Sequence, residues 1–226
     1  DCIIYCKDDQ ELNKLIGEGG NCKTIAYSTP HHKIQNGTTY IKQIPLKIFG
    51  NHNLQNLNAA KLVCNELGIS SKDFLEQIKT FNGASNRLEK IKDNNNSAIF
   101  KDFAHSPSKL KATINAVKKQ FKERKLIACM ELHTFSSLNK DFLKQYSNSM
   151  NEADQAIVFF SLEAIKHKGL EPIKEDEIKS AFNNKDLIVI SDDIKLKTHL
   201  KNLNLENTNL LLMSSGNFNK MILDEI

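Results

Sequence analysis

Apolar residues recur along this chain with two different rhythms, and the change falls near residue 97. Before it, short β-rich runs stand at CIIYC (2–6) and TIAYS (24–28), with the helically spaced DDQELNKLI between them. IQNGTTYIKQIPLKIFG (34–50) carries the Asn-Gly pair of a tight hairpin. A helix is predicted through AAKLVCNELG and stopped by Gly68. Another follows in SSKDFLEQIKTF, where Ser70 and Asp73 have capping-box spacing. KDNNNSA (92–98) is polar, turn-prone and without apolar period, so it reads as a linker.

Beyond the linker, near-continuous apolar runs alternate with amphipathic ones. Strands are predicted at AIFKDFA, KLIACMEL, QAIVFFS, DLIVIS and NLLLMSS. Helices are predicted at SPSKLKATINAVKKQF, around DFLKQYSNSM, and at EDEIKSAF, IKLKTHLKNL and FNKMILDEI. The first has Ser106 as N-cap, Pro107 in its first turn, and Leu110, Ile114, Val117 and Phe121 on one face. Five apolar strands alternating with helices predict an α/β, doubly wound, mostly parallel sheet covered on both faces. The first segment lacks such a layout and reads as the second half of a domain whose first half is absent.

Composition narrows the picture modestly. The chain has 226 residues, a net charge of +4, and 31 basic residues of which only Arg87 and Arg124 are arginines. The lysines are dispersed, without aromatic interleaving, which argues against nucleic-acid binding. No apolar run reaches the roughly 20 residues that span a bilayer, and the start lacks the layout of a signal peptide. Five cysteines without a C-x-x-C pair point to a reducing, cytoplasmic setting. Cys2 and Cys6 share a strand face; burial as small hydrophobes is the ordinary reading and a metal pair the sharper one.

In a doubly wound sheet, ligands meet loops at the carboxyl ends of the strands. Three loops there carry chemistry: Asp102, His105 and Ser106; His133, Thr134 and Ser136; and Ser214 to Asn217 with Gly216. Each alone has a plain structural reading as a cap, an exposed loop residue or a turn glycine; together they suggest a binding edge. Phosphate-loop, dinucleotide and H-E-x-x-H patterns are lacking, GEGGNCKT (17–24) having the wrong spacing for the first. His31 and His32 are adjacent, which suits a solvent-facing loop better than a metal site.

One stretch resists a structural reading. GNHNLQNLNAA (50–60) crowds four asparagines and a histidine into a helix start, where one cap would do. It resembles the G-x-H-N-x-x-N-x-x-A-A motif of the Mur ligases, the enzymes that build the peptide stem of peptidoglycan. FNGASNRLE (81–89), KDFAHSPSKL (101–110) and LLLMSSGNF (210–218) are similar to further motifs of that family, in order. The resemblance implies a partial central, ATP-binding domain over 1–96 and a Rossmann-like C-terminal domain over 97–226.

It also implies an ATP-dependent ligase that joins an amino acid or peptide to UDP-N-acetylmuramate through an acyl phosphate. His52, Asn53 and Asn56 would meet adenine, whose N7 and N6 edge suits a carboxamide. Arg87 would reach the phosphates, Asp102 the ribose, and His105 would serve catalysis. His105, Ser106, His133, Thr134 and Ser136 would face the substrates, and magnesium would have its ligands mostly in a missing N-terminal part. Asn86 stands where the family has a further arginine, Ser106 where it has a second histidine, and Thr134 where the alanine-adding branch has an arginine. The alternatives are a folylpolyglutamate synthase-like ligase and a non-catalytic Rossmann-like binding module. As a fragment without the phosphate loop, the chain is expected to be inactive alone.

Overall fold

The short runs of the first segment form two small sheets. The structure, a computed structural model, describes residues 1–17 and 22–218 and divides into two compact units, Asp1–Gly83 and Ala84–Ile226. In the first unit β1 (Cys2–Cys6) pairs in parallel with β2 (Lys23–Tyr27), and α1 (Gln10–Gly17) lies between them in the chain. Cys2 is exposed and Cys6 half-buried, so neither is the buried small hydrophobe its spacing suggested. The other sheet is antiparallel: β3 (Lys33–Gln35), β4 (Thr38–Ile41) and β5 (Ile44–Leu46). Its first turn is Asn36-Gly37, with φ of 48° and 71°, the left-handed pair that matches strand twist.

Two helices complete this unit, α2 (Asn51–Glu66) and α3 (Ser71–Ile78). Gly68, at φ 88°, ends the first in a conformation that a side chain resists. Ser70 caps the second by accepting the Asp73 amide at 3.1 Å, as its spacing predicted. Leu54, Leu57 and Leu75 from the helices bury against Ile41, Leu46 and Ile48.

The second unit is built on six strands. In chain order these are β6 (Glu89–Asn94), β7 (Ser97–Asp102), β8 (Lys125–Leu132), β9 (Gln155–Phe160), β10 (Ile188–Ile190) and β11 (Thr208–Met213). They stand in the order β10-β9-β8-β11-β7-β6, all parallel except β6, which pairs antiparallel at the edge. The expected doubly wound, mostly parallel sheet is therefore present. The helices are α4 (Pro107–Gln120), α5 (Lys140–Leu143), α6 (Leu162–His167), α7 (Glu175–Phe182) and α8 (Asp193–Lys201).

Strand parity divides the core between two faces. Ile99, Ile127, Cys129, Ile157, Phe159, Leu210 and Leu212 pack with Leu196 and Leu200 of α8. Residues of the opposite parity, such as Phe100, Met130 and Phe160, are equally buried, and Phe100 meets Phe121 at the end of α4. Among the described residues no helix is long and apolar enough to cross a membrane.

Two of these expectations change. The stretch 92–98 is not a linker: Glu89–Asn94 and Ser97–Asp102 are the arms of a hairpin, and the units divide at Gly83 instead. A polar edge strand has no apolar run to reveal it. The helix around 141–150 is one α-turn followed by a 3-10 turn at Lys144–Tyr146, since the Ser/Asn-rich 147–151 favours turns. The short α6 was not foreseen. The helix expected at 218–226 lies, beyond Phe218, outside the described residues.

The hairpin generates a test. A segment comprising residues 84–226 should unfold cooperatively in urea. One comprising 97–226 loses β6 and the packing of Ile91, and should be weaker by about 2 kcal/mol or more, the order of one buried isoleucine. Equal urea midpoints, followed by circular dichroism, would refute the assignment of β6 to this unit.

Candidate functional site

Because β11, the last strand, inserts between β7 and β8, the chain reverses its winding there. At such a reversal the crossover loops part and leave a crevice at the carboxyl edge. Residues 103–106, 133–137 and 214–218 follow these three adjacent strands. The three loops singled out from the sequence are thus brought to one edge.

Two buried carboxylates organise them. Asp102 ends β7 and is 4% exposed; Glu131, one residue from the end of β8, is 3% exposed. Asp102 Oδ2 accepts the Leu88 amide at 2.8 Å, and Oδ1 accepts the Ala104 amide at 2.7 Å and the Thr113 hydroxyl at 3.4 Å. Glu131 Oε2 accepts the Phe218 amide at 2.8 Å and the Ser214 hydroxyl, while Oε1 lies 3.6 Å from His133 Nδ1. Ser214 links the two: its hydroxyl serves Glu131 and its amide donates to the Asp102 carbonyl at 3.0 Å. Glu131 was missed from sequence, although a lone carboxylate inside KLIACMEL is the signal that finds it.

In front of these carboxylates stand basic side chains. Arg87 is exposed, with its guanidinium 5.5 Å above the Phe103 ring. His105 packs edge-on against the same ring at 5.3 Å, and its Nδ1 lies 2.9 Å from the Phe103 carbonyl. His133 is half-buried against Gly216, where a Cβ would fall 2.8 Å from the imidazole and 2.9 Å from Glu131. Only glycine leaves room for that ring.

The hydroxyls divide into engaged and spare. Thr134 Oγ1 accepts the Ser137 amide at 3.1 Å and lies 3.1 Å from Ser136 Oγ, so this pair holds its own turn. Ser106 occupies the N-cap of α4 without making the side-chain cap bond. Ser215 Oγ is buried and, among the described residues, has no partner.

His52, Asn53 and Asn56 lie in the first unit, apart from these groups in the chain. Asn53 donates to the Phe49 carbonyl at 3.0 Å, and Asn58 donates to the Ser28 carbonyl at 2.9 Å. Two of the puzzling asparagines therefore tie backbone, whereas Asn56 is exposed. His52 is half-buried on the same helix opening, one turn before Asn56. Among the described residues no three His, Cys, Asp or Glu side chains form a metal-binding group. His31 is exposed, and His32 Nδ1 lies 2.9 Å from the Pro30 carbonyl.

The family described as "Mur ligase, glutamate ligase domain" matches residues 86–216, more than half of the chain. The chain belongs to the Mur ligase family. A curated relative, the UDP-N-acetylmuramate–L-alanine ligase of Caldicellulosiruptor bescii, is 34% identical over 155 residues, which are 69% of this chain and 33% of that one. Among solved structures, the UDP-N-acetylmuramate–alanine ligase of Thermotoga maritima superposes with a TM-score of 0.70 at 18% identity. That match covers 97% of this chain and 49% of the other. The MurF ligase of the same organism, in complex with ADP, gives 0.68 at 18% identity, over 95% of this chain and 50% of that one. The chain spans about a third of the curated relative and about half of each solved structure. The two structural likenesses bear on fold alone.

Two outcomes follow for this Mur ligase chain. Gly216→Ala forces the His133 ring or the 214–218 loop to move, and should cost about 1–3 kcal/mol in urea unfolding. An unchanged midpoint would mean that the loop yields freely.

Tyr146 gives the other. It is fully buried, stacks on Phe182 at 5.1 Å and donates its hydroxyl to the His105 carbonyl. Burial pushes its phenol up to about 12. A phenol raised in the folded state adds stability that is complete below its unfolded value, near 10, and lost as pH climbs toward 12. Tyr146→Phe should cost about 1 kcal/mol at about pH 8 and less at about pH 11. Urea midpoints of both proteins at the two pH values test this; a penalty that grows with pH would contradict it.

Proposed function

We propose that this chain forms part of an ATP-dependent ligase that joins an amino acid or peptide to UDP-N-acetylmuramate, in peptidoglycan synthesis or recycling. The observation that carries the reading is the carboxyl-edge crevice of the second unit. There two buried carboxylates stand behind two basic side chains, Arg87 and His133, that reach solvent. Family membership supports the reading, as do the substrate named for the curated relative and the ADP held by the MurF neighbour. On this reading the first unit is the C-terminal half of the central, ATP-binding domain and the second is the C-terminal domain.

ATP, with magnesium, would supply the phosphoryl group that activates the sugar's carboxylate as an acyl phosphate. The residues of this chain bind and align. Asn56 presents a carboxamide donor and acceptor to the adenine edge, with His52 and Asn53 beside it on the opening of α2. Arg87 offers a planar guanidinium to phosphate oxygens, which lysine matches less well. Asp102, whose carboxylate holds the Leu88 amide next to Arg87, is assigned to the ribose hydroxyls. His105 is the catalytic candidate, and with Ser106, His133, Thr134 and Ser136 it faces the sugar carboxylate and the incoming amine. Such chemistry depends on alignment and charge stabilisation more than on a protein nucleophile.

The test is steady-state phosphate release by the full-length ligase with ATP, GTP and a series of amine acceptors. Asn56→Ala should raise the KM for ATP and blunt discrimination against GTP, because guanine has an acceptor where adenine has a donor. The loss should be on the order of 1–3 kcal/mol. Arg87→Lys should depress turnover alike for both nucleotides, and His133→Ala should raise KM for the acceptor only. If Asn56→Ala weakens both nucleotides equally, the adenine assignment fails.

A further inference from the structure

We infer that Glu131 is a positioning residue for His133: it holds the imidazole in the form protonated at Nδ1, so that Nε2 meets the crevice as a hydrogen-bond acceptor. The group that Nε2 would meet, an N–H of the incoming amine, rests on the function proposed above; the setting of the ring does not.

The placement follows from strand geometry. Residues two apart share a face of a strand, so Glu131 near the end of β8 and His133 just beyond it stand on one side of the sheet. The β8–β11 register pairs Met130 with Met213, and its continuation sets Ser214 level with Glu131. The carboxylate is buried, and its two oxygens are used differently. Oε2 accepts the Phe218 amide at 2.8 Å and the Ser214 hydroxyl. Oε1 faces His133 Nδ1 at 3.6 Å.

That separation is longer than a formed hydrogen bond, yet it decides where the ring proton sits. An unprotonated Nδ1 would aim its lone pair at an anionic oxygen, two acceptors face to face with no proton between them. A proton on Nδ1 turns the repulsion into attraction and gives the buried carboxylate a further donor. A neutral imidazole carries one proton, so Nε2 then keeps its lone pair. The surroundings of the ring fix which edge looks outward. Its Cγ–Nδ1 side lies against Gly216, 2.8 Å from where a Cβ would stand, while the side chain is 40% exposed. The exposed edge is therefore the opposite one, which carries Nε2. Burial, and then the charge of Glu131, push the Cys129 thiol up, so the preceding residue on this face stays neutral.

The tautomer can be read directly. In a long-range ¹⁵N correlation spectrum, the ring nitrogen that bears the proton and the one that bears the lone pair resonate far apart. The 226-residue protein has seven histidines, and His133→Gln identifies the His133 signals by their loss. At about pH 8, above the usual histidine range, wild-type His133 should favour the Nδ1–H form by about tenfold or more. Glu131→Gln should reverse it. Its amide oxygen can still accept from Phe218 and Ser214, which leaves the NH2 group aimed at Nδ1 and the proton on Nε2. A carboxylate that served only to hold the final loop would leave the tautomer unmoved by this exchange. Ser214→Ala removes a bond to the carboxylate but not its charge, and should keep the Nδ1–H form. An Nε2–H ring in the wild type, or one unchanged by Glu131→Gln, overturns the positioning role. Should Glu131→Gln fail to fold, the wild-type and Ser214→Ala spectra still decide it.

Steady-state phosphate release by the full-length ligase supplies the ligand arm. Glu131→Gln should raise the KM for the amine acceptor about tenfold, the order of one lost hydrogen bond, and leave the KM for ATP in place. An acceptor KM that stays put while the tautomer reverses overturns the contact with the amine and leaves the setting of the ring intact. A full-length protein that releases no phosphate with any amine overturns the proposed ligase function instead, and the spectra are unaffected by that result.

Discussion

Two carboxylates buried at the ends of the parallel strands that flank β11 constrain the loops at the carboxyl edge of the second unit. A carboxylate removed from water costs several kcal/mol unless hydrogen bonds and nearby charge replace its solvent. Asp102 and Glu131 meet that demand with backbone amides from Leu88, Ala104 and Phe218 and hydroxyls from Thr113 and Ser214. These donors come from four stretches of chain: the entry corner, the β7–α4 loop, helix α4 and the final loop. Satisfying two charges therefore fixes the entry corner, the β7–α4 loop and the final loop together. Ser214 bonds the Glu131 carboxylate through its hydroxyl and the backbone carbonyl of Asp102 through its amide, tying the final loop to both strand ends.

This arrangement depends on where β11 lies. Asp102 shares the sheet face of Phe100 and Met130, whereas Glu131 shares that of Cys129 and Phe159, so the two carboxylates leave opposite faces of their strands. The inserted strand separates them and supplies Ser214 between. Its own residues are all buried, apolar but for Thr208 and Asn209, so it carries the frame and leaves the chemistry to its neighbours. Preorganised groups of this kind cost no rearrangement when a ligand arrives, which is why rigid strand ends suit a site better than free loops do.

The sequence made the frame legible and much of the fine structure not. Continuous apolar runs such as QAIVFFS and NLLLMSS have no plausible place except a sheet covered on both faces, and they form β9 and β11. Asn36-Gly37 and Ser70 acted through local backbone geometry, which needs no tertiary partner, and both hold. The division between units was misplaced because Glu89–Asn94 pairs through backbone bonds that polar side chains do not advertise. At the site, the three loops could be read because they follow recognisable strands. The partners of their side chains could not, since Leu88 and Phe218 contribute amides, and any residue but proline has one. The asparagines of residues 50–60 show the same limit. Asn53 and Asn58 serve backbone carbonyls, a use that is invisible until the chain is folded.

The departure of residue 86 from the family motif then has a physical reading. Asn86 stands where Mur ligases are expected to carry an additional arginine, and its φ of 56° is one that asparagine tolerates far better than arginine. Its carbonyl, held by the Phe103 amide, helps to aim the next residue. The exchange gives up one positive charge and strengthens the corner that presents the other. Arg124, the chain's second arginine, cannot compensate. It bonds Asn209 near the start of β11 and the Asn95 carbonyl before β7, at the opposite edge of the sheet. Of the two arginines Arg87 is thus the one at the carboxyl edge, and its backbone has little freedom. The left-handed residues on either side, the Phe103 ring beneath and the buried Asp102 behind supply that restraint.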